Sequence, residues 1–153
     1  MTSLSLILAV SCPYPCAMAQ IEDLVKLFYL QLWNQKNLAV ADQVLDEHVH
    51  FRGSLGSAMI GRDKVIDYVH EVTSALDGYT CEILELVVET DKAAAKVKFR
   101  GKHIRRFMGY QPTGKQVEWL GTAFFESHHD QLSNIWVLGD LHGLFATLEA
   151  NKS

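Results

Sequence analysis

A change of hydrophobic period near residue 79 constrains the fold of this chain more than any other feature. Before this point, apolar residues recur every three to four positions, which is typical of amphipathic helices. After it, apolar and polar residues alternate, which is typical of strands with one buried face. Helices followed by a run of strands predict an α+β domain, because a parallel sheet would need a helix between successive strands.

The first half of the chain predicts three helices. The first has an apolar stripe that includes Leu24 and Phe28, and the second is short, with Asn37 able to cap it. The predicted elements are a helix over 21–34, a helix over 37–44, a short strand over 47–52, a loop over 54–61, a helix over 62–76 and a turn at 77–78.

The second half predicts four strands and a last short helix. The predicted strands cover 79–89, 93–107, 115–127 and 132–139, and the helix covers 141–148. The connections between the strands are short, as antiparallel hairpins require. The sequence therefore predicts a cone-shaped, bent antiparallel sheet wrapped over three N-terminal helices, enclosing a pocket.

The strand over 93–107 is predicted to place a histidine inside the fold. Ala95, Val97 and Phe99 alternate with lysines and an arginine, and His103 is in phase with the apolar set. Because side chains alternate across a strand, we expect His103 on the inner face. A buried imidazole must be hydrogen-bonded and can exchange a proton near neutral pH. His103 is thus a candidate catalytic residue, and a core histidine bonded to a backbone carbonyl is the alternative.

Further candidate site residues are a carboxylate and several aromatic side chains. Asp140 is in phase with Trp136 and precedes an apolar segment. It is a candidate catalytic acid or base at the mouth of the pocket, and the N-cap of the last helix is the alternative. The candidate substrate-binding residues are Tyr29, Trp33, His50, Tyr68, Trp119 and Trp136. His48 and His50 form an H-x-H pair without an evident third ligand, so no metal site is predicted.

Composition excludes several classes of protein. The chain has 153 residues, of which 48% are hydrophobic and 21% are charged, which is typical of one folded domain. A net charge of −4 argues against a nucleic-acid partner. No apolar run approaches the roughly 20 residues that span a membrane, so no membrane partner is expected.

The first twenty residues differ from the rest of the chain because they carry no charge. They include Ala17-Met18-Ala19, a small-x-small sequence of the kind that signal peptidase cleaves, but they lack the usual basic start of a signal peptide. We predict that residues 1–18 are a leader or a disordered extension and that 19–153 are the domain. The predicted location is cytoplasmic, with export as the alternative if residues 1–19 act as a signal peptide.

Three segments contain motifs of a known family. Residues 28–53 form an aromatic helix ending in W-N, followed by a short second helix and a strand. Residues 101–115 contain G-x-H-x(5)-G-x-x-P-T-G-K, and residues 136–140 contain W-x-x-x-D. Through these motifs the chain resembles, over about residues 19–148, the SnoaL-like polyketide cyclase (ester cyclase) family of the nuclear transport factor 2-like superfamily.

The resemblance implies a cone-shaped α+β barrel with an internal pocket, a homodimer and no cofactor. It implies closure of a ring in an aromatic polyketide methyl ester by aldol condensation, in which an aspartate removes a proton and the pocket stabilises the enolate. Counted back from Asp140 without gaps, that aspartate falls on Val137, and the histidine of the preceding strand falls on Ala123. Tyr29 resembles the helix tyrosine of the related ketosteroid isomerases, whose aspartate base has no counterpart at residues 50–52.

These observations lead to three hypotheses about function. The first is a small-molecule enzyme of cyclase, isomerase or hydratase type that performs acid–base chemistry on an apolar carbonyl substrate through His103 and Asp140, with the cyclase aspartate missing. The second is a non-catalytic module that binds an apolar small molecule in the same pocket. The third is a dimeric interaction domain whose own side chains fill the pocket. We expect a homodimer and no cofactor.

Overall fold

A computed structural model describes residues 20–153 of the chain. The predicted leader, together with Cys12 and Cys16, lies outside the described residues. Within residues 20–153, no helix combines the length and the apolar character needed to cross a membrane.

The first helix changes its hydrogen-bonding pattern half-way along. Helix α1 covers Ile21–Lys26 and continues as a π-helical segment over Leu27–Trp33. In the π-helical segment each N–H bonds five residues back, so the turn is wider than in an α-helix. Four large residues of this segment are buried, namely Phe28, Tyr29, Leu32 and Trp33. The helix predicted over 21–34 is confirmed, whereas the sequence did not predict the change of pitch.

The elements that follow are a 3-10 turn at Leu38–Val40, helix α2 at Ala41–Val44, strand β1 at Leu45–Arg52, strand β2 at Ala58–Ile60 and helix α3 at Arg62–Ala75. Strand β2 lies inside the segment predicted as a loop. It is only three residues long and pairs antiparallel with β1 at the edge of the sheet, so its alternation was too short to recognise.

The remaining elements are strand β3 at Leu76–Val88, strand β4 at Lys92–His103, strand β5 at Gln116–His128, strand β6 at Gln131–Gly139 and helix α4 at Leu141–Ala150. Strands β3 to β6 pair antiparallel in chain order, as predicted. Strand β1 lies parallel to β6, so the sheet is mixed. The strand order is β2-β1-β6-β5-β4-β3, which leaves β2 and β3 as free edges of a curled, unclosed sheet.

The turn predicted at 77–78 lies within β3. Gly78 has a φ of 61°, and the register with β4 shifts between Asp77 and Thr80. Glycine adopts this φ without steric cost, and a register shift of this kind bends a strand. The Asp-Gly pair therefore marks a bulge where α3 passes into the sheet.

Strand β4 ends at His103, four residues before the predicted end. Beyond it, Phe107 and Tyr110 exchange two backbone hydrogen bonds of 3.0 and 2.9 Å. Met108 and Gly109, between them, both have positive φ, which is the geometry of a tight two-residue hairpin turn. Phe107 is in phase with His103, so the strand was predicted to continue through Arg105 and the break was not predicted.

The core lies between the inner face of the sheet and helices α1 and α3. The alternation predicted along β4 is confirmed, because Ala95, Val97 and Phe99 are buried whereas Lys96 is exposed. The helices pack on the inner face of the sheet. There the buried aromatic side chains form one contiguous group, called here the aromatic cluster, which consists of Phe28, Tyr29, Trp33, Phe51, Tyr68, Tyr79, Phe99, Phe107, Trp119 and Phe125.

Candidate functional site

A small cavity lies within the aromatic cluster. It is lined by Phe28, Tyr29, Trp33, Phe51, Gly53, Ser54, Tyr68, Val72, Tyr79, Phe99 and Val137. The space open to the centre of a water-sized sphere is about 10 Å³, which is enough for about one water molecule. Among the described residues, the lining contains hydroxyl groups and an indole N–H but no carboxylate and no imidazole.

Phe28, on the π-helical segment, stands at the centre of the aromatic cluster. Its ring centroid lies 5.0 Å from that of Tyr29, 6.0 Å from Phe125, and 6.3 Å from both Trp33 and Phe51. Edge-to-face and tilted contacts of this length are favourable beyond the burial of area. The cluster therefore holds the helix side of the cavity in a defined position.

Asn34 attaches the end of the π-helical segment to strand β3. Its side-chain amide donates to the Cys81 carbonyl at 2.9 Å and accepts from the Cys81 N–H at 2.7 Å. This two-point contact keeps neighbouring Trp33 close to Tyr79, with ring centroids 5.4 Å apart. In the W-N pair found in the sequence, the asparagine thus fixes the position of the tryptophan in the cavity wall.

Gly53, directly after β1, makes room for Tyr68 of α3. A Cβ atom at Gly53 would lie 2.5 Å from the Tyr68 hydroxyl oxygen and 2.7 Å from two ring carbons. The ring also packs against Trp33 and Phe51, with centroids 5.9 and 5.5 Å away. Tyr68 therefore closes the cavity against the backbone, and a larger residue at position 53 would displace it.

Two buried donors of the cavity wall have no hydrogen-bond partner. The Tyr29 hydroxyl and the Trp33 Nε1 are buried without a partner among the described residues. Buried polar groups are rarely left unpaired, because each costs about 1–3 kcal/mol. Both side chains line the cavity. An acceptor atom inside the cavity is the kind of partner that they lack.

Burial keeps the phenols of the cavity protonated. It raises the pKa of Tyr29 and of Tyr79 well above the usual tyrosine range, with a further contribution from Cys81. Burial also raises the pKa of Tyr68 to about 12, which the backbone of Leu55 opposes in part. The pKa of the Cys81 thiol, 3.4 Å from the Tyr79 hydroxyl, is raised by burial to about 12. At neutral pH the cavity thus offers hydrogen-bond donors, not anions.

These raised pKa values predict instability at high pH. Tyrosines normally titrate near pH 10 and cysteines near pH 9, so the unfolded chain loses these protons before the folded chain does. Each such group lowers the free energy of unfolding by about 1.4 kcal/mol per pH unit between its ordinary and its raised pKa. Urea unfolding at pH 8 to 11 should show a steep decline, and Tyr79→Phe should reduce its slope. Equal slopes in both proteins would contradict the burial of the Tyr79 hydroxyl.

Trp119 supports the cavity from behind. Its indole N–H donates to the Ser54 hydroxyl at 3.2 Å, and Ser54 lines the cavity. Its ring packs against Phe99 and Phe107, with centroids 5.3 and 5.9 Å away. Trp119, which the sequence suggested as a substrate contact, therefore lies behind the wall rather than in it.

The predicted catalytic histidine is fully buried but does not line the cavity. His103 lies at the end of β4, with its ring centroid 6.0 Å from that of Phe107. The inner-face position expected for it is observed, but neither ring nitrogen has a partner among the described residues, so the backbone carbonyl expected to bond it is not found. Its catalytic role remains a prediction.

Three other candidates lie outside the cavity. Asp140 is exposed, and its Oδ1 accepts from the Gly143 N–H at 2.9 Å, so the side chain caps α4. Trp136 is 39% exposed on the outer face of the sheet, beneath the Arg52 guanidinium at 5.3 Å. His50 is exposed on β1. The structure thus places Tyr29, Trp33 and Tyr68 around one cavity and does not place these three candidates there.

A larger groove opens on the surface beside the cavity. It has a volume of about 310 Å³ and lies between α3 and the connection from β4 to β5. Its lining consists of Leu55, Ser57, Tyr68, Glu71, Val72, Ser74, Ala75, Arg105, Arg106, Phe107 and Met108. Tyr68 and Val72 line both spaces, so these two side chains separate the groove from the cavity.

Some lining residues were not predicted as site residues. Tyr79 lies at the change of hydrophobic period, and its alternation with buried Cys81 is the pattern that would have placed it inward. Ser54 lies in a loop, where no period applies, so only the three-dimensional contact with Trp119 identifies it. Among the described residues there is no cluster of three metal-ligating side chains.

Solved structures share this fold at low sequence identity. TsrD from Streptomyces laurentii is 21% identical, with a TM-score of 0.77 over 89% of this chain and 99% of that chain. A SnoaL-like polyketide cyclase from Agrobacterium tumefaciens is 18% identical, with a TM-score of 0.71 over 86% and 99%. An LEH-like epoxide hydrolase from M. tuberculosis is 12% identical, with a TM-score of 0.68 over 86% and 92%. None of the curated proteins compared with the chain matches it.

The curled sheet and its helices therefore place the chain in the same class of α+β domains as these solved structures. Within that class, the family model for SnoaL-like polyketide cyclases matches residues 23–148. The chain belongs to the SnoaL-like polyketide cyclase family. The epoxide hydrolase with the same fold is a reminder that the fold alone does not define the reaction.

Proposed function

We propose that this chain is a cyclase- or isomerase-type enzyme that acts on an apolar carbonyl compound in the aromatic cavity. The observation that supports the proposal is the pair of unpartnered donors on the cavity wall, the Tyr29 hydroxyl and the Trp33 N–H. Donors that are shielded from bulk solvent stabilise an oxyanion strongly. We propose that they hold a carbonyl oxygen of the substrate as it becomes the oxygen of an enolate.

The cavity lining has no carboxylate among residues 20–153, which restricts the substrate further. Val137, where the resemblance to the cyclases puts their aspartate, lines the cavity as an apolar side chain. Without a base in the cavity, stabilisation of the enolate oxygen is enough for proton removal only when the C–H group of the substrate is already acidic. We therefore propose a substrate with a carbon between two carbonyl groups, whose proton is lost to water when the oxygen is held by Tyr29.

The substrate must occupy more than the cavity. The cavity holds about one water, whereas small-molecule sites measure roughly 300–1,000 Å³. The groove of about 310 Å³ adjoins it through Tyr68 and Val72. We propose that the ligand lies in the groove and inserts its carbonyl end past Tyr68 into the cavity.

A non-catalytic binding module is the second candidate. It is favoured by the same lining, which among the described residues has donors but no proton acceptor of the carboxylate or imidazole kind.

The homodimer that the resemblance implies stays a prediction, and we expect the outer face of the sheet around Phe124 and Trp136 to be buried in it.

Three probes separate these functions. Ethyl benzoylacetate has a methylene group between two carbonyls, and its exchange with deuterium is followed by proton NMR. We expect the protein to accelerate this exchange, because the enolate oxygen is held by buried donors. Methyl benzoylpropionate, which lacks the doubly activated carbon, tests binding alone, against methyl phenylbutyrate, which lacks the ketone. Binding of the ketone without accelerated exchange would establish the binding module, and binding of neither would overturn both functions.

A further inference from the structure

We infer that the surface groove binds the carboxylate of an amphipathic ligand whose carbonyl end enters the cavity. The inference rests on the proposed function and adds to it the chemical class of the ligand, an acid with an apolar carbonyl-bearing body. Its basis is Arg105 and Arg106, which line the groove beside the apolar entrance.

The backbone that carries the two arginines is held in place. The Ile104 and Arg105 N–H groups donate to the Ala75 carbonyl at 3.0 and 3.3 Å, which joins this connection to the end of α3. The tight hairpin formed by Phe107 and Tyr110 follows directly. A connection fixed on both sides needs no ordering of its backbone when a ligand binds, which favours binding.

Neither guanidinium is used elsewhere in the described part of the chain. The ion pairs found among residues 20–153 involve Arg62 and four lysines, but not Arg105 or Arg106. The groove contains one opposing charge, Glu71. Two arginines less one glutamate leave one positive charge, which matches a singly charged anion. The planar fork of a guanidinium fits the two oxygens of a carboxylate.

The rest of the groove defines the other end of the ligand. Phe107 and Met108 provide an apolar wall next to the arginines, and Val72 continues it towards the cavity. A charged group at the rim followed by an apolar surface selects a molecule with one acidic end and an aromatic or aliphatic body. In this proposal the acidic end lies at the arginines, and the carbonyl end reaches the cavity past Tyr68 and Val72, which line both spaces.

Four probes test this inference separately from the proposed function. Benzoylpropionate and phenylbutyrate differ only in the ketone, and the methyl ester of each removes only the carboxylate charge. We expect the wild-type protein to bind benzoylpropionate about three- to tenfold more tightly than its methyl ester, the range of an exposed charge-assisted contact. The advantage of the acid should shrink at high salt, because exposed charges are screened.

The variant R105Q/R106Q should lose this preference while binding the ester unchanged. K102Q is the matched control, because Lys102 is an exposed charge on β4 that does not line the groove. E71Q should strengthen binding of both acids, since it removes the opposing charge. All four proteins should melt alike, because the altered side chains are exposed.

The outcomes distinguish the two claims. Equal affinity for acid and ester, or an equal loss in K102Q and R105Q/R106Q, would overturn the carboxylate site and leave the proposed function standing. A preference for the acids without any preference for the ketones would support the carboxylate site and remove the carbonyl contact. Failure of all four probes to bind would overturn both.

Discussion

Replacement of Tyr29 by phenylalanine is expected to slow the protein-catalysed exchange of ethyl benzoylacetate by about 100-fold or more, the usual cost of losing one oxyanion donor. The same change should stabilise the free protein by about 1 kcal/mol, or roughly 3 °C in Tm, because it removes a buried hydroxyl that has no partner. The ring contacts to Phe28 and Phe125 remain in the variant.

A gain of stability with a loss of function is the signature of a group retained for a ligand. Tyr79→Phe is the matched control, because that hydroxyl also lines the cavity region but already contacts the Cys81 sulfur. It should leave the exchange rate within about threefold of the wild-type rate, because the Tyr79 hydroxyl is not proposed to donate to the ligand oxygen. If Tyr29→Phe destabilises the fold and leaves exchange unchanged, the hydroxyl is a structural group and the proposed oxyanion contact is wrong.

Replacement of Val137 by aspartate is expected to accelerate the same exchange by about 100- to 10,000-fold, the contribution of a positioned general base. Val137 lines the cavity at the position where the resemblance to the cyclases puts their aspartate. In the described part of the chain the cavity lining offers the new carboxylate no cationic partner, so we expect it to cost about 2–4 kcal/mol of stability.

The variant Val137→Asn separates the effect of a base at this position from the effect of a polar side chain of the same shape. Asparagine has nearly the same size and polarity but cannot take the proton, so it should cost comparable stability without accelerating exchange. The comparison is made by deuterium exchange at pH 8 with both variants folded, as judged by their melting curves. Equal rates in the two variants would show that position 137 does not face the reacting carbon.

The sequence predicted the architecture from one-dimensional patterns that the structure confirms. The period of two placed Ala95, Val97 and Phe99 inside, and the helical stripe placed Leu24 and Phe28 in the core. Such patterns report which face of an element is buried. They do not report where elements from distant parts of the chain meet, which is why β2 and the pairing of β1 with β6 were not predicted.

The candidate site was predicted less completely for the same reason. Tyr29, Trp33 and Tyr68 line one cavity because a π-helical segment carries the first two and a glycine at position 53 makes room for the Tyr68 ring, which contacts Trp33. Neither feature has a periodic signal. Asp140 shared the phase of its strand, but the strand ended one residue earlier, and a helix N-terminus was the nearer hydrogen-bond partner.

The central claim is that a ligand carbonyl accepts a hydrogen bond from Tyr29 inside the cavity. The most direct measurement is the infrared stretching frequency of carbon-13-labelled ketone in methyl benzoylpropionate bound to the protein. A hydrogen bond weakens the carbonyl bond, so the account predicts a lower frequency in the wild-type complex than in an apolar solvent, and a return towards the solvent value in Tyr29→Phe. The same frequency in both complexes would contradict it.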